Sequence, residues 1–157
     1  MNKFSKKVFY IVCLIVVISF FLISILNKTN KIYAADKGRT PDIQLLARAI
    51  NGEARGESYE GQVAVGAVIL NRVEHPNFPN TIAGVIYESG AFTAVSDGQI
   101  NVPIAEDSTV YKAAEDAMNG WDPTNGAIYY FNPNTATNSW IWSRPLTITI
   151  GKHRFCK

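Results

Sequence analysis

The octapeptide "INGEARGE", Ile50 to Glu57, sets two carboxylates and a guanidinium around Gly52 and Gly56. Glu53 follows an apolar helical pattern, Ile43, Leu46, Ala47 and Ile50, which places it at or just beyond a helix C-terminus. There the negative end of the helix dipole and the like charge of Glu57 both disfavour an ionised carboxylate, while Arg55 pushes back. The expectation is a Glu53 that holds a proton near neutrality, as a general acid must, with Glu57 and Arg55 in supporting or pKa-tuning roles. The competing reading is a solvated i, i+4 pair that costs roughly a few tenths of a kcal/mol in like-charge repulsion.

As an acid/base couple the two glutamates fail on geometry. Residues four apart on one helix share a face, whereas the two carboxylates of a glycosidase flank the scissile bond from opposite sides. Either a distant acid such as Asp97 supplies the second group, or one glutamate acts first as acid and then as base while the substrate provides the nucleophile. Other chemistries find less support. His75 and His153 lie far apart without HxxxH spacing, and no cysteine pair exists in the exported part, so neither a metal nor a cofactor is expected. No serine sits in a GxSxG elbow, and Cys156 is the penultimate residue. The last third interleaves Trp121, Tyr129, Tyr130, Phe131, Trp140 and Trp142 with Asn132, Asn134, Thr135, Thr137 and Asn138. Aromatic faces beside amides and hydroxyls suit sugar rings, and equally would build the core of a small sheet.

The elements that must hold these residues can be read from spacing. Thr40 as N-cap, Pro41 at N1 and Asp42 in the first turn open a helix that ends near Asn51 and Gly52. Ser58 caps a second, Tyr59 to Val73, whose middle "VAVGAVIL" is apolar on every side and therefore buried all round. "TIAGVIYES" predicts a shorter helix capped by Asn80, "AFTAVSDGQINVP" a long loop, and "STVYKAAEDAMNG" a helix capped by Asp107 or Ser108. The period then changes: "AIYYF" reads as a strand, and "LTITI", "GK" and "HRF" as a hairpin with a glycine-first turn. Helices first and strands last imply an α+β fold with a small antiparallel sheet near the C-terminus.

Residues 1–35 read differently from the rest. Lys3, Lys6 and Lys7 precede an uncharged apolar run of 19 residues, Val8 to Leu26, which fits a signal peptide cleaved near Ala35 or an N-terminal membrane anchor. Both place the domain outside the cytoplasm, with a membrane contact through this segment in the second case. Residues 36–41 form a short linker and 42–157 one domain. Of fifteen Lys and Arg, five lie in the first 35 residues, leaving ten against thirteen Asp and Glu, a net charge of −3. That balance gives nucleic acid no footing.

The stretches "ARAINGEARGESYEGQVAVGAVILNRV", "SGAFTAVSDGQIN", "YYFNP" and "WIWSRPLTITIGKHRF" resemble, in family order, the catalytic domain of SleB/CwlJ-type cell wall hydrolases. The resemblance runs from about Asp42 to the C-terminus. It implies a lysozyme-like or lytic-transglycosylase-like fold, peptidoglycan glycan strands as the partner, and cleavage of the N-acetylmuramic acid to N-acetylglucosamine β-1,4 bond. It also implies Glu53 as the acid/base residue, acting by the route that leaves 1,6-anhydromuramoyl ends, and puts Phe92, Gln99, Asn132, Trp142 and His153 among groove candidates. A role in spore cortex lysis during germination follows from the resemblance. Such proteins usually carry a peptidoglycan-binding domain before the catalytic one, and only Asp36 to Thr40 stands at that place, so general wall remodelling stays open. So do a hydrolytic muramidase using Asp97 and a wall-binding module without catalysis.

Overall fold

The computed structural model describes residues 10, 12–27 and 40–157. The chain divides into two compact units, Met1–Arg39 and Thr40–Lys157. In the first, residues 12–27 are helical (α1), and no helix among the described residues is long and apolar enough to cross a membrane. The cleavage position near Ala35 and residues 36–39 of the expected linker lie outside the described residues. Its last two residues belong to a helix start instead: Thr40 is an N-cap whose hydroxyl accepts from Ile43 N, and Pro41 is the first helical residue.

The second unit is α+β, as its pattern of helices followed by strands implied. Three helices make the body: α2 (Pro41–Ala54), α3 (Tyr59–Glu74) and α6 (Thr109–Met118). Leu46, Ala47 and Ile50 of α2, Val65, Val68 and Ile69 of α3, and Val110 and Ala114 of α6 share one core. α3 is buried almost all round through its middle, so its uninterrupted apolar run needs no solvent face. Gly66 permits this: a Cβ there would meet Ile50 Cδ1 at 3.0 Å and Ala117 Cβ at 3.1 Å.

Between α3 and α6 the expected boundaries shift. The short helix α4 (Ile82–Ile86) is capped by Thr81, whose hydroxyl accepts from Gly84 N, in place of Asn80. The segment expected to be one long loop holds a single-turn helix, α5 (Thr93–Ser96), and a 3-10 turn, Gln99–Asn101. Gly98, at φ +80°, links the two, a left-handed conformation that carries no Cβ penalty in glycine.

Strands β1 (Tyr129–Phe131), β2 (Leu146–Ile150) and β3 (His153–Cys156) form an antiparallel sheet in the order β1-β3-β2. Tyr130 stands opposite Phe155, and Phe131 opposite Arg154. Since side chains alternate faces along a strand, Tyr130, His153 and Phe155 share one face, their rings 5.2 to 6.3 Å apart. The other face is covered by a short helix that the sequence reading missed, α7 (Ser139–Trp142). Its Trp140 packs edge-on to Tyr129 at 5.1 Å and its Trp142 to Phe131 at 5.0 Å.

Candidate active site

Glu53 lies in the last turn of α2, which continues through Asn51 and Gly52 to Ala54 instead of ending at them. The helix passes that point because Gly52 lies against α5: a Cβ at position 52 would collide with Ala94 Cβ. The close approach brings the Ala94 backbone N–H to donate to Glu53 Oε1 at 2.7 Å. On the other oxygen, the Tyr130 hydroxyl donates to Oε2 at 3.0 Å. Burial and the neighbouring Glu53 carboxylate push the Tyr130 phenol well above its ordinary range, so it keeps its proton.

Tyr130 reaches Glu53 because α3 fixes the chain that leads into β1. Asn71 Nδ2 donates to Ala127 O at 3.0 Å, and Arg72 Nε donates to Ile128 O at 2.7 Å. Arg72 is itself buried, its guanidinium 5.1 Å from the Phe92 ring centre and 5.2 Å from that of Phe78. Burial pulls its pKa down from the ordinary arginine value, yet a guanidinium stays charged in protein.

The remaining expected site residues divide. Glu57 and Arg55 do not hold each other. Arg55 Nη1 donates to Gln99 Oε1 at 2.7 Å, which ties the end of α2 to the 3-10 turn. Glu57 has a side chain only 8% exposed and faces the β2–β3 turn, where Oε2 accepts from Lys152 N at 3.0 Å and Oε1 lies 3.9 Å from Lys152 Nζ. Glu53 and Glu57 likewise take different partners, because the helix ends at Ala54 between them, so their i, i+4 spacing does not make them a pair. Gln99 is brought beside the site, its Cβ 3.5 Å from where a Gly52 Cβ would stand.

His153 also comes close, its ring 5.2 Å from that of Tyr130. It is 8% exposed, and its Nδ1 is buried with no hydrogen-bond partner among the described residues. Burial lowers its pKa from the ordinary imidazole value and outweighs the opposite pull of Glu57 and Glu53. A histidine kept neutral at neutral pH packs beside the glutamates without adding a cation.

Three candidates stand elsewhere. Phe92 is a core residue, 4% exposed, with the Arg72 guanidinium 5.1 Å from its ring centre. Asn132 builds a turn: its Oδ1 accepts from Asn134 N at 2.9 Å and its carbonyl from Ala136 N. Trp142 is exposed on the sheet face opposite to the one Tyr130 presents to Glu53, with Arg154 lying 5.5 Å from its ring centre. Asp97 is an exposed C-cap of α5 whose Oδ1 accepts from Gln99 N. Among the described residues no group of three His, Cys, Asp or Glu could hold a metal ion.

The arrangement offers one half-buried carboxylate with a donor at each oxygen. The backbone N–H can only donate. The phenol can donate to an ionised Glu53 or accept from a protonated one, so the site accommodates both states that an acid/base group passes through.

Fold and site together define an α+β domain built around a single glutamate at a helix end, held by an edge-strand tyrosine. The family model described as Cell Wall Hydrolase matches residues 56–156, and the chain belongs to that family. It is 63% identical over 116 residues to the spore cortex-lytic enzyme of Bacillus cereus, covering 74% of this chain and 44% of that protein. The chain thus spans less than half the length of that relative. Its fold is similar to the crystal structure of the catalytic domain of the Bacillus cereus SleB protein, with 64% identity and a TM-score of 0.69 over 74% of this chain and 89% of that one. It is likewise similar to the catalytic domain of the germination-specific lytic transglycosylase SleB from Bacillus anthracis, with 61% identity and a TM-score of 0.71 over 76% and 98% of the two chains.

Proposed function

We propose that residues 42–157 form a peptidoglycan glycosidase that cleaves the N-acetylmuramic acid to N-acetylglucosamine β-1,4 bond, with Glu53 as its only acid/base residue. The observation that carries this reading is the pair of donors on Glu53, Ala94 N–H and Tyr130 OH, while the carboxylate of Glu57 is engaged by Lys152. Glu53 protonates the glycosidic oxygen as the C1–O bond breaks. The resulting carboxylate then takes the proton of the muramoyl 6-hydroxyl, whose oxygen closes onto C1 and leaves a 1,6-anhydro end. The lytic transglycosylase named among the relatives supports this route over attack by water.

The cortex-lytic relatives support the spore cortex as the place of action and germination as the occasion. The domain is exported by residues 1–35, and acts in the cell wall or cortex or from the outer face of the membrane. The test is mass spectrometry of glycan strands digested by the full chain. Anhydro ends are expected, and saturable release of ordinary reducing ends alone would replace this route with hydrolysis, Asp97 then being the second carboxylate to test. Glu53→Gln should lower the rate at least a hundredfold. If it digests sacculi as fast as the native protein, Glu53 is not the acid.

A further inference from the structure

Charge is unevenly placed along the domain. All thirteen Asp and Glu lie at or before Asp122, whereas residues 123–157 carry Arg144, Lys152, Arg154 and Lys157 and no acidic side chain. Residues 36–122 hold six Lys and Arg against the thirteen acids, a side-chain charge of −7, and the sheet region holds +4. Segregation of one sign onto one part of a fold points to a partner surface of the other sign.

Two of these cations stand on the sheet face that α7 covers. Two rows of cross-strand partners point to that face: Leu146, Cys156 and Tyr129 in one, and Thr149, Arg154 and Phe131 in the other. The Arg144 guanidinium lies 5.1 Å from the ring centres of both Tyr129 and Trp140, and that of Arg154 lies 5.5 Å from the centre of Trp142. Neither arginine forms an ion pair or donates a hydrogen bond to a protein group among the described residues, and Arg144 Nε is buried without a partner. The aromatic rings hold both guanidiniums in place and leave their forked donors for an acceptor from outside.

The same face is apolar and open. No residue of α7 is buried; Trp140 and Trp142 are 48% and 47% exposed, and Leu146 is 57% exposed. The run "WIWSRPL" sets indoles, aliphatic side chains and a guanidinium together at the surface. That combination suits the interfacial zone of a bilayer, where indoles sit at headgroup level, aliphatic groups reach the acyl boundary and guanidiniums meet phosphates. A soluble polyanion would use the arginines and leave Leu146 and both indoles in water. Glu88 borders the cavity beside Trp140 and Ile141, so the contact centres on Trp142, Leu146 and Arg154.

We propose that the face formed by α7 and the adjoining side of the sheet docks on an anionic lipid surface, with Arg144 and Arg154 meeting headgroup phosphates and Trp140, Trp142 and Leu146 entering the interface. The domain itself makes this contact, separately from any that residues 1–35 make, and it does not depend on the reaction proposed above. Tyr130 lies on the opposite face of the sheet, so docking leaves it and Glu53 off the lipid.

The experiment places the full chain, carrying Trp121→Phe, on vesicles of phosphatidylcholine alone or mixed equally with phosphatidylglycerol. Both contain phosphatidylcholine brominated in its acyl chains as quencher. Residues 1–35 contain no tryptophan, so the fluorescence reports Trp140 and Trp142. Quenching should be about threefold greater on the anionic vesicles and should fall toward the neutral level at about 0.5 M salt. Arg144→Gln combined with Arg154→Gln should abolish the difference between the two compositions. Leu146→Gln, at an exposed position, should lower quenching on the anionic vesicles about twofold, and decides the question even where the arginine variant unfolds.

Equal quenching on the two compositions, no quenching on either, or indifference to both variants would each overturn the proposal. A Trp142 indole resonance that answers soluble polyphosphate while vesicles leave the fluorescence unquenched would give the face to a polyanion instead. A dimer in sedimentation without vesicles, dissolved by Leu146→Gln, would give it to a second copy of the chain.

Discussion

Tyr130 donates its phenolic hydrogen to Glu53 Oε2 at 3.0 Å, across 77 positions of sequence, and so joins the sheet edge to the end of α2. The ring is also held at its other edge, 5.2 Å from His153 and 5.9 Å from Phe155. Tyr130→Phe keeps that packing and removes only the hydroxyl. A hydrogen bond to a charged group is worth about 1.5–3 kcal/mol, so kcat on glycan strands should fall roughly tenfold to a hundredfold. KM should stay close to the native value, while the melting temperature should fall by at least about 3 °C with the lost hydrogen bond. An unchanged kcat would remove Tyr130 from the chemistry.

The two glycines of "INGEARGE" separate in their demands. A Cβ at Gly52 would collide with Ala94 Cβ, whereas one at Gly56 would meet nothing within 4 Å. Gly52→Ala must push α5 away and carry the Ala94 N–H off Glu53. Overpacking of this kind costs about 1–3 kcal/mol, set against at most about 1 kcal/mol of gained helix propensity. Activity measured well below the melting temperature should drop, and Gly56→Ala should leave activity and stability within error. Equal behaviour of the two variants would show that the α2–α5 contact does not position Glu53.

Glu57 and Gly151 form a second tie, between the end of α2 and the β2–β3 turn. Gly151 has φ +56°, and a Cβ there would collide with Glu57 Oε2, which accepts from Lys152 N. Gly151→Ala therefore carries two penalties, backbone strain of about 1 kcal/mol and the clash with the carboxylate. Glu57→Ala removes only the second. In a double-mutant cycle read by denaturant unfolding, the cost of Gly151→Ala should shrink by at least about 0.5 kcal/mol in the Glu57→Ala background. Additive effects would mean that the turn and the glutamate are independent.

How much of this was legible beforehand depends on what each feature rests upon. Thr40, Pro41 and Ser58 act on neighbours within three residues, so the starts of α2 and α3 follow from local sequence. The hairpin turn at Gly151 is equally local. The end of α2 is not: Gly52 favours a stop in isolation, but its missing Cβ serves the tertiary contact with Ala94. α5 and α7 are four residues each, too short for a periodic signal. The place of Glu53 at a helix end was legible, whereas its hydrogen-bond partners were not. Ala94 contributes a backbone N–H, which no residue type announces. Tyr130 did carry a signal, since alternation in "YYF" sets it on the face opposite to Tyr129 and Phe131. Without knowing which face met α2, that alternation could not name it.

His153 gives the pH dependence of stability a definite sign. Its imidazole is buried beside Tyr130 and Phe155, and burial lowers its pKa in the folded chain below the ordinary value of about 6.5. The unfolded state therefore takes up a proton at a higher pH than the folded state does. Stability from this group is fully present above about pH 6.5 and declines as pH falls from there toward the lowered folded value, below which the loss levels off. Glu57 and Glu53 work in the opposite direction by attracting the imidazolium, so neutralising either should steepen the decline. Melting temperature measured from pH 8 down to pH 5 should fall through this window in the native chain. His153→Gln cannot be protonated and should flatten the curve there, whatever it costs at pH 8. A slope that survives the substitution would have to come from another group.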